Sequence, residues 1–193
     1  KRIARLQMNI PNVEQDYGPT LEVSKWIHEE KYRGQGETFK DAMTRVAETA
    51  FSNGMSVNTE LIIGLPGETW ESWTSGLCHL LSRDIIVEAY PVTILMNSEM
   101  GQDDYIDKHG ITSTTLKSFF SKYVDEWQIM LTGTNTLPEA QMKKLWLWTW
   151  LTSMMDANGF TQLVTRYLNK RHGMAFEKFY ERLLDWGLEN KNC

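Results

Sequence analysis

Residues 57–69, which read Val-Asn-Thr-Glu-Leu-Ile-Ile-Gly-Leu-Pro-Gly-Glu-Thr, decide the fold. Their first part, Val57–Ile63, becomes continuously apolar toward its end, as is typical of a strand in a parallel sheet that is covered on its faces. A loop with two glycines follows, and then tryptophans and leucines recur at helical spacing over residues 70–81. The next apolar run covers residues 85–95. This order of strand, loop, helix and strand predicts a right-handed βαβ unit.

Upstream of this unit, Ile3–Met8 is predicted to be a short strand. Apolar residues then define one face of a helix from Phe39, with Thr38 as its expected cap, and Asn53-Gly54 predicts its end. The resulting order β-α-β-α-β is that of half a (β/α) barrel or half an open doubly wound α/β sheet. Because three parallel strands leave one sheet edge open, we expect the chain to self-associate or to cover this edge with residues 12–36.

The composition changes after Met100. Residues 101–115 are typical of a linker, and the periodicity beyond them is helical, beginning with a predicted helix over Leu116–Met130. Thr136-Leu137-Pro138-Glu139 predicts the start of a long helix that ends at Asn158-Gly159. A shorter helix that ends at His172-Gly173 and a last helix from Phe176 are predicted to follow. We therefore divide the chain into a βα domain, residues 1–115, and a C-terminal helical domain, residues 116–193.

Composition limits the classes of function. The chain has 193 residues, of which 41% are hydrophobic and 23% charged, as in ordinary globular proteins. Its net charge of −5 disfavours nucleic acid and anionic membranes as partners. The only two cysteines, Cys78 and Cys193, cannot form a disulfide framework or hold an iron–sulfur cluster. No signal peptide or spanning helix is visible in the sequence, so a reducing, cytoplasmic location is expected.

Few other residues suggest chemistry. The four histidines have no metal-ligand spacing, and no metal site or catalytic residue is predicted from the pattern. Glu60 and Glu88 lie within apolar strands, where they point either into a site or outward to a partner. The series Trp146, Trp148 and Trp150 favours a helix that is buried on several sides over a stacking surface.

The glycine-containing loop is the strongest local signal. It follows the carboxyl end of a strand and opens a helix, which is where α/β proteins place ligand sites. Its glycines permit close approach to the backbone, and the helix N-terminus favours an electron-rich group. The alternative is a tight, capped βα turn without a ligand. The loop is neither a P-loop nor a dinucleotide-binding fingerprint, because both spacings are absent.

The stretch Thr59–Thr69 resembles the fifth-strand motif of radical S-adenosylmethionine (SAM) enzymes, in particular the group that contains a cobalamin-binding domain. Residues 6–9, Leu-Gln-Met-Asn, resemble the fourth strand of that family, and residues 89–100 resemble the sixth. The resemblance implies a partial (β/α) barrel, strands four to six of a radical SAM barrel (a TIM barrel), followed by a helical tail.

The resemblance also implies a SAM-binding surface. Gln7 would approach the ribose, and Ile62 and Gly64 would lie against the adenine. Pro66, Gly67 and Glu68 would shape the loop, and the backbone around Ile94 and Leu95 would border the adenine edge. Met8 and Met96 replace the serine and proline that are usual in this family.

One motif of the family is absent. The three cysteines at C-x3-C-x2-C spacing that bind the [4Fe-4S] cluster do not occur in this chain. The chain therefore resembles the C-terminal half of a radical SAM protein, with SAM and the cluster implied for the intact protein and cobalamin possible there. The missing half-barrel would be supplied in cis or in trans, and the substrate would be a small molecule or a peptide. The alternative is a truncated, non-catalytic interaction module or one half of a split protein.

Overall fold

The computed structural model describes residues 4–9, 21–22, 39–117 and 126–190. Its strands are β1 (Ala4–Asn9), β2 (Leu21–Glu22), β3 (Ser56–Ile63), β4 (Ile86–Pro91), β5 (Thr93–Ile94), β6 (Thr112–Lys117) and β7 (Trp127–Gly133). Its α-helices are α1 (Phe39–Ser52), α2 (Trp70–Leu81), α3 (Asp103–His109), α4 (Glu139–Ala157), α5 (Gln162–His172) and α6 (Phe176–Glu189). A single 3-10 turn over Glu99–Gly101 precedes α3.

The first sheet has the strand order β2-β1-β3-β4. Strand β1 pairs antiparallel with β3, with Ala4 opposite Leu61 and Asn9 opposite Ser56. The expectation of parallel neighbours is therefore wrong for this pair, because an apolar pattern identifies a strand without fixing the direction of its neighbour. Strand β2 pairs with β1 through Leu21 and Glu22, inside the segment that was expected to cover the open edge. Residues 12–20 and 23–36 of that segment lie outside the described residues.

The second sheet has the order β5-β7-β6, and both pairs are antiparallel. It corrects two sequence predictions. Residues 101–115 are not a linker, since they contain α3 and most of β6. The predicted helix over Leu116–Met130 is also wrong, because Leu116 and Lys117 end β6 and residues 127–130 begin β7. These strands depend on pairings between distant segments, such as Thr93 with Met130, which local periodicity does not reveal.

The other predicted helices are confirmed. Helix α1 ends before Gly54, whose φ of 74° is the left-handed conformation expected at a helix stop. Helix α4 covers the predicted long helix and is followed by Gly159 at φ 76°. Helix α5 ends at Gly173, whose backbone N–H donates to the carbonyl of Asn169. Thr38, the predicted cap of α1, lies outside the described residues.

The chain divides into two compact units, which interleave along the sequence. The first comprises Lys1–Leu61, Leu77–Glu88 and Ser153–Phe176, and the second comprises Ile62–Gly76, Ala89–Thr152 and Glu177–Cys193. The core of the first unit includes Ala47, Ala50, Val57, Leu77, Leu81 and Ile85. The core of the second includes Trp73, Leu131, Leu137, Met142, Leu145, Trp148 and Tyr180. The domain boundary near residue 115 stays a prediction.

Cys78 is 3% exposed, in agreement with its predicted place in a helix interior. The tryptophans of α4 differ from the prediction in detail, since Trp148 is fully buried whereas Trp150 is 61% exposed. Within the described residues, no helix is both long enough and apolar enough to cross a lipid bilayer.

Candidate functional site

The loop after β3 is built on a tight turn. The backbone N–H of Glu68 donates to the carbonyl of Leu65 over 2.9 Å, which closes a four-residue turn. Pro66 occupies the second position, and Gly67 occupies the third with a φ of 89°. This combination is that of a type II turn, in which proline presets the second residue and glycine accepts the positive φ of the third. The local sequence Leu-Pro-Gly-Glu therefore specifies the shape of the loop.

The two glycines of the loop have the same φ of 89° but different surroundings. A Cβ at Gly64 would lie 2.8 Å from the Sδ of Met142 and closer still to its Cε, so the absent side chain makes room for a buried methionine of α4. A Cβ at Gly67 would meet no atom within 4 Å. Gly64 is therefore part of the packing, whereas the exposed backbone at Gly67 is open to an approaching ligand.

The N-terminus of α2 is capped by its own neighbours. The backbone N–H of Ser72 donates to Thr69 Oγ1 over 3.1 Å, and the N–H of Thr69 donates to Ser72 Oγ over 3.0 Å. The Ser72 hydroxyl in turn donates to Glu68 Oε1 over 3.1 Å. Glu68 is only 6% exposed, and its carboxylate is placed where the helix dipole favours negative charge. The carboxylate of Glu68 thus supplies the electron-rich group at this helix end. A ligand is not needed to supply it.

Strand β5 brings the second predicted segment into the same unit as the loop. Ile94 is buried and pairs with Ile129 of β7, and the N–H of Leu131 donates to the carbonyl of Val92 over 3.1 Å. The side chain of Leu131 also lies 3.8 Å from the position of a Cβ at Gly64. Leu131 therefore touches both the glycine loop and the segment around β5, two regions that the sequence analysis assigned to one surface.

The carbonyl of Leu95 is already used by the protein. It accepts a hydrogen bond of 2.6 Å from the Ser98 hydroxyl and one of 2.9 Å from the Ser98 backbone N–H. Its side chain is 61% exposed. The expected contact of this backbone with an adenine edge is therefore restricted, and the exposed apolar side chain of Leu95 is the part that a ligand can meet. Ser98 was missed in the sequence because nothing distinguishes it there from an ordinary turn residue.

Gln7 lies in β1, whereas Ile62 lies near the end of β3. The antiparallel register places Gln7 opposite Asn58, near the start of β3, whereas the loop follows the end of that strand. Ile62 is half-buried and lies two residues before Gly64. Gln7 and the loop belong to different compact units, and the approach of Gln7 to a SAM ribose stays a prediction.

An aromatic cluster, Trp70, Trp73, Trp148 and Tyr180, braces the start of α2 and was missed as a unit. The rings of Trp70 and Trp148 lie 6.0 Å apart, and Trp148 meets Tyr180 edge-on at 6.5 Å. The indole of Trp73 donates to Thr149 Oγ1 over 2.8 Å, and that of Trp70 donates to Glu181 Oε1 over 3.3 Å. The cluster fixes the helix that begins directly after the candidate loop.

Metal ligands are not assembled in the part of the chain that the structure describes. None of its histidine, cysteine, aspartate and glutamate side chains form a group of three or more that could hold a metal ion.

Comparisons with known proteins give one relationship to report. No family model matches this chain. The chain is 26% identical over 137 residues to the cobalamin-dependent radical SAM methyltransferase TokK of Streptomyces tokunonensis. The match covers 66% of this chain and 20% of TokK, so the chain spans about a fifth of the length of that relative. The chain is thus distantly similar to part of a cobalamin-dependent radical SAM methyltransferase.

Proposed function

We propose that this chain is part of a radical SAM enzyme and supplies a portion of its SAM-binding surface. The observation that carries the proposal is the loop of residues 64–69, which resembles a SAM-facing motif and leaves the backbone of Gly67 open. The distant similarity to a radical SAM methyltransferase supports the same assignment. The cluster ligands belong to residues outside this chain, because it contains only two cysteines.

The side chains around the loop fit the adenosine part of SAM. Ile62 and Pro66 are half-buried and Leu95 is exposed, so each leaves apolar atoms accessible to a purine ring. Gly67 adds backbone that a ligand can approach closely. Glu68 holds the loop through Ser72, and Gly64 and Ile94 hold the surface from within. Gln7 remains the residue that we expect to approach the ribose in the intact protein.

The implied cofactors are SAM, a [4Fe-4S] cluster and cobalamin. When bound, they would supply one-electron chemistry and a transferable methyl group, and this chain would contribute only orientation and exclusion of water. We further propose that the chain is the C-terminal portion of a (β/α) barrel with its tail. The missing half-barrel is then the obligate partner, in cis or in trans.

The first experiment is to read the coding sequence upstream of Lys1. We expect an open frame that continues into a C-x3-C-x2-C triplet. The longer protein, reconstituted with iron and sulfide without oxygen, is then expected to cleave SAM to 5′-deoxyadenosine.

The loop itself is tested in that protein with Gly67→Val, which fills the open space at the turn. We expect the Kd for SAM to rise about tenfold or more, a loss of about 1.4 kcal/mol. Gly54→Val is the matched control, since Gly54 also has a positive φ, of 74°, and no atom within 4 Å of its Cβ position. Equal SAM affinity of the two variants would contradict the proposed surface. A start codon directly before Lys1, with no SAM binding, would favour the interaction module instead.

A further inference from the structure

Helix α5 has the opposite of the usual amphipathic arrangement. Its buried side is polar, because Thr165 is 2% exposed and the guanidinium of Arg166 is largely buried. Most of its apolar residues face outward. Phe160, two residues before the helix, is 72% exposed, Leu163 is 79% exposed, and Val164 and Tyr167 are 49% and 61% exposed. These residues, 160, 163, 164 and 167, recur at helical spacing and form what we call the α5 stripe.

Polar contacts explain how α5 is held without burying its apolar side. The Thr165 hydroxyl is satisfied within the helix by the carbonyl of Thr161 at 3.0 Å. Arg166 donates to Asp84 Oδ1 over 2.6 Å, to Asp156 Oδ1 over 2.7 Å and to the carbonyl of Leu81 over 2.7 Å. These bonds fix the helix in its unit, so the α5 stripe is not required for the packing of the chain that the structure describes.

The size of the α5 stripe is that of an interaction surface. Two aromatic and two aliphatic side chains at these exposures leave roughly 400 Å² of contiguous apolar area in water, within the range of the largest patches on monomers. Covering it on two molecules removes about 800–1,000 Å² from water, an area that is typical of a weak, reversible interface and smaller than that of a stable one.

The order of residues in the α5 stripe is symmetric. It runs aromatic, aliphatic, aliphatic, aromatic about the midpoint of Leu163 and Val164. If two copies of α5 pack antiparallel about a twofold axis at this midpoint, Phe160 of one copy meets Tyr167 of the other, and Leu163 meets Val164. A face that is complementary to itself in this way is what an isologous dimer requires.

The charges of α5 favour the antiparallel orientation. The helix contains no acidic residue, and its last turn carries Lys170, Arg171 and His172. A parallel pair would place two basic turns side by side, which is unfavourable. In the antiparallel pair, the two basic turns lie at opposite ends of the α5 stripe and are kept apart. We propose that the α5 stripe is a homodimer interface, formed by two antiparallel α5 helices.

The first test measures the molecular mass of the chain by sedimentation velocity across a concentration series. We expect a reversible dimer, and Leu163→Glu is expected to weaken its association at least tenfold. Trp186→Glu, at a residue that is 57% exposed on α6, is the matched control and should leave dimerisation unchanged. Circular dichroism checks that both variants keep their helix content. A monomer at all concentrations, or equal effects of the two substitutions, would overturn the proposal.

A cross-linking test addresses the orientation directly. In a Cys193→Ser background, Phe160→Cys and Tyr167→Cys chains are prepared separately and oxidised alone or as a mixture. The antiparallel interface predicts a disulfide-linked dimer in the mixture and little in either variant alone, because residues 160 and 167 face each other across the axis. Equal cross-linking of each variant with itself would exclude this geometry.

Discussion

The two ends of helix α2 solve the same backbone problem in different ways. Before the helix, the chain turns through a left-handed residue that is a glycine, Gly67, at φ 89°. After the helix, it turns through Asp84 at φ 58°, which is the only described residue other than glycine with a positive φ. The first turn is held by its own neighbours, Thr69 and Ser72. The second is held by Arg166, which comes from 82 residues further along the chain.

The turn at Gly67 is open to an approaching ligand, whereas the turn at Asp84 is closed by its contact with Arg166. A left-handed backbone costs a residue with a Cβ roughly 1–2 kcal/mol, and aspartate tolerates it better than most. At Asp84 the ion pair with Arg166 offsets this cost and uses the carboxylate. At Gly67 there is no such cost, and the space beside the backbone stays empty. At the second turn, the carboxylate of Asp84 is paired with Arg166. The first turn keeps exposed backbone at Gly67 that a ligand can approach.

The strongest way to break the closed turn is Arg166→Ala. The substitution removes the guanidinium that pairs with the carboxylate of Asp156, which is 7% exposed, and breaking a buried ion pair is costly. We expect a loss of about 3 kcal/mol in the free energy of unfolding, measured by urea denaturation. Lys144→Ala is the control, because its pair with Asp185 is about half-exposed and is worth about 0–1 kcal/mol. Equal losses for the two variants would contradict a structural role of Arg166.

The stabilisation that Arg166 gains from Asp156 and Asp84 should not change at moderately alkaline pH. Burial alone would lower the pKa of Arg166, but its hydrogen bonds to Asp156 and Asp84 outweigh this effect, and the pKa lies above its ordinary value. A raised pKa means that the stabilisation is complete below the ordinary value and is lost only as the pH rises through the folded one. The difference between wild type and Arg166→Ala is therefore expected to be the same at about pH 7 and about pH 9.

The open turn is tested by comparing Gly64→Ala with Gly67→Ala. Both substitutions place a Cβ at a φ of 89°, so both should lose roughly 1–2 kcal/mol from backbone strain. Gly64→Ala must also displace Met142, which adds about 1–3 kcal/mol of overpacking. Thermal denaturation should rank Gly64→Ala clearly below Gly67→Ala. If the two variants have the same melting temperature, the contact between Gly64 and Met142 does not limit the stability of the loop.

The smallest effect is expected for Asp84→Gly, which removes the strain and the ion pair together. Because the Asp84 carboxylate is 66% exposed, its pair contributes about as little as the strain costs, and the net change should lie within about 1 kcal/mol. Asp84→Ala keeps the strain and loses the pair, so it should be about 1–2 kcal/mol less stable than Asp84→Gly. Urea denaturation of both variants measures this difference, and its absence would mean that the turn at residue 84 is not strained.

The sequence predicts well those elements whose signals are local. The Leu-Pro-Gly-Glu turn, the apolar faces of α1 and α2, and the glycines that end α1 and α5 can all be read without knowledge of the fold. The sequence does not predict β6, whose residues are all exposed and which is stabilised by pairing with residues 127–133. Residues 112–115 resemble a linker, and residues 116–117 resemble the start of a helix. The relative direction of the strands cannot be predicted for the same reason, since nothing in residues 4–9 shows that β1 runs antiparallel to β3.

The sequence predicts the location of the candidate site better than it predicts the contacts within that site. The position of the loop after a strand indicated where a ligand would approach, and the open space at Gly67 fits that expectation. The sequence could not show that Gly64 serves Met142, or that Ser98 occupies the carbonyl of Leu95, because both depend on side chains brought together by packing. Glycine and turn motifs identify a loop, but not which of its groups remain available.

The Arg166 contacts also bear on the order in which the chain folds. They join residues 82 and 85 positions apart in sequence, so they close long loops, whereas the capping of α2 joins residues three apart. Loop-closure entropy delays such distant contacts, and contacts formed after the transition state mainly slow unfolding. We therefore expect the turn at Asp84 to form late, so that its loss accelerates unfolding of the chain more than it slows folding.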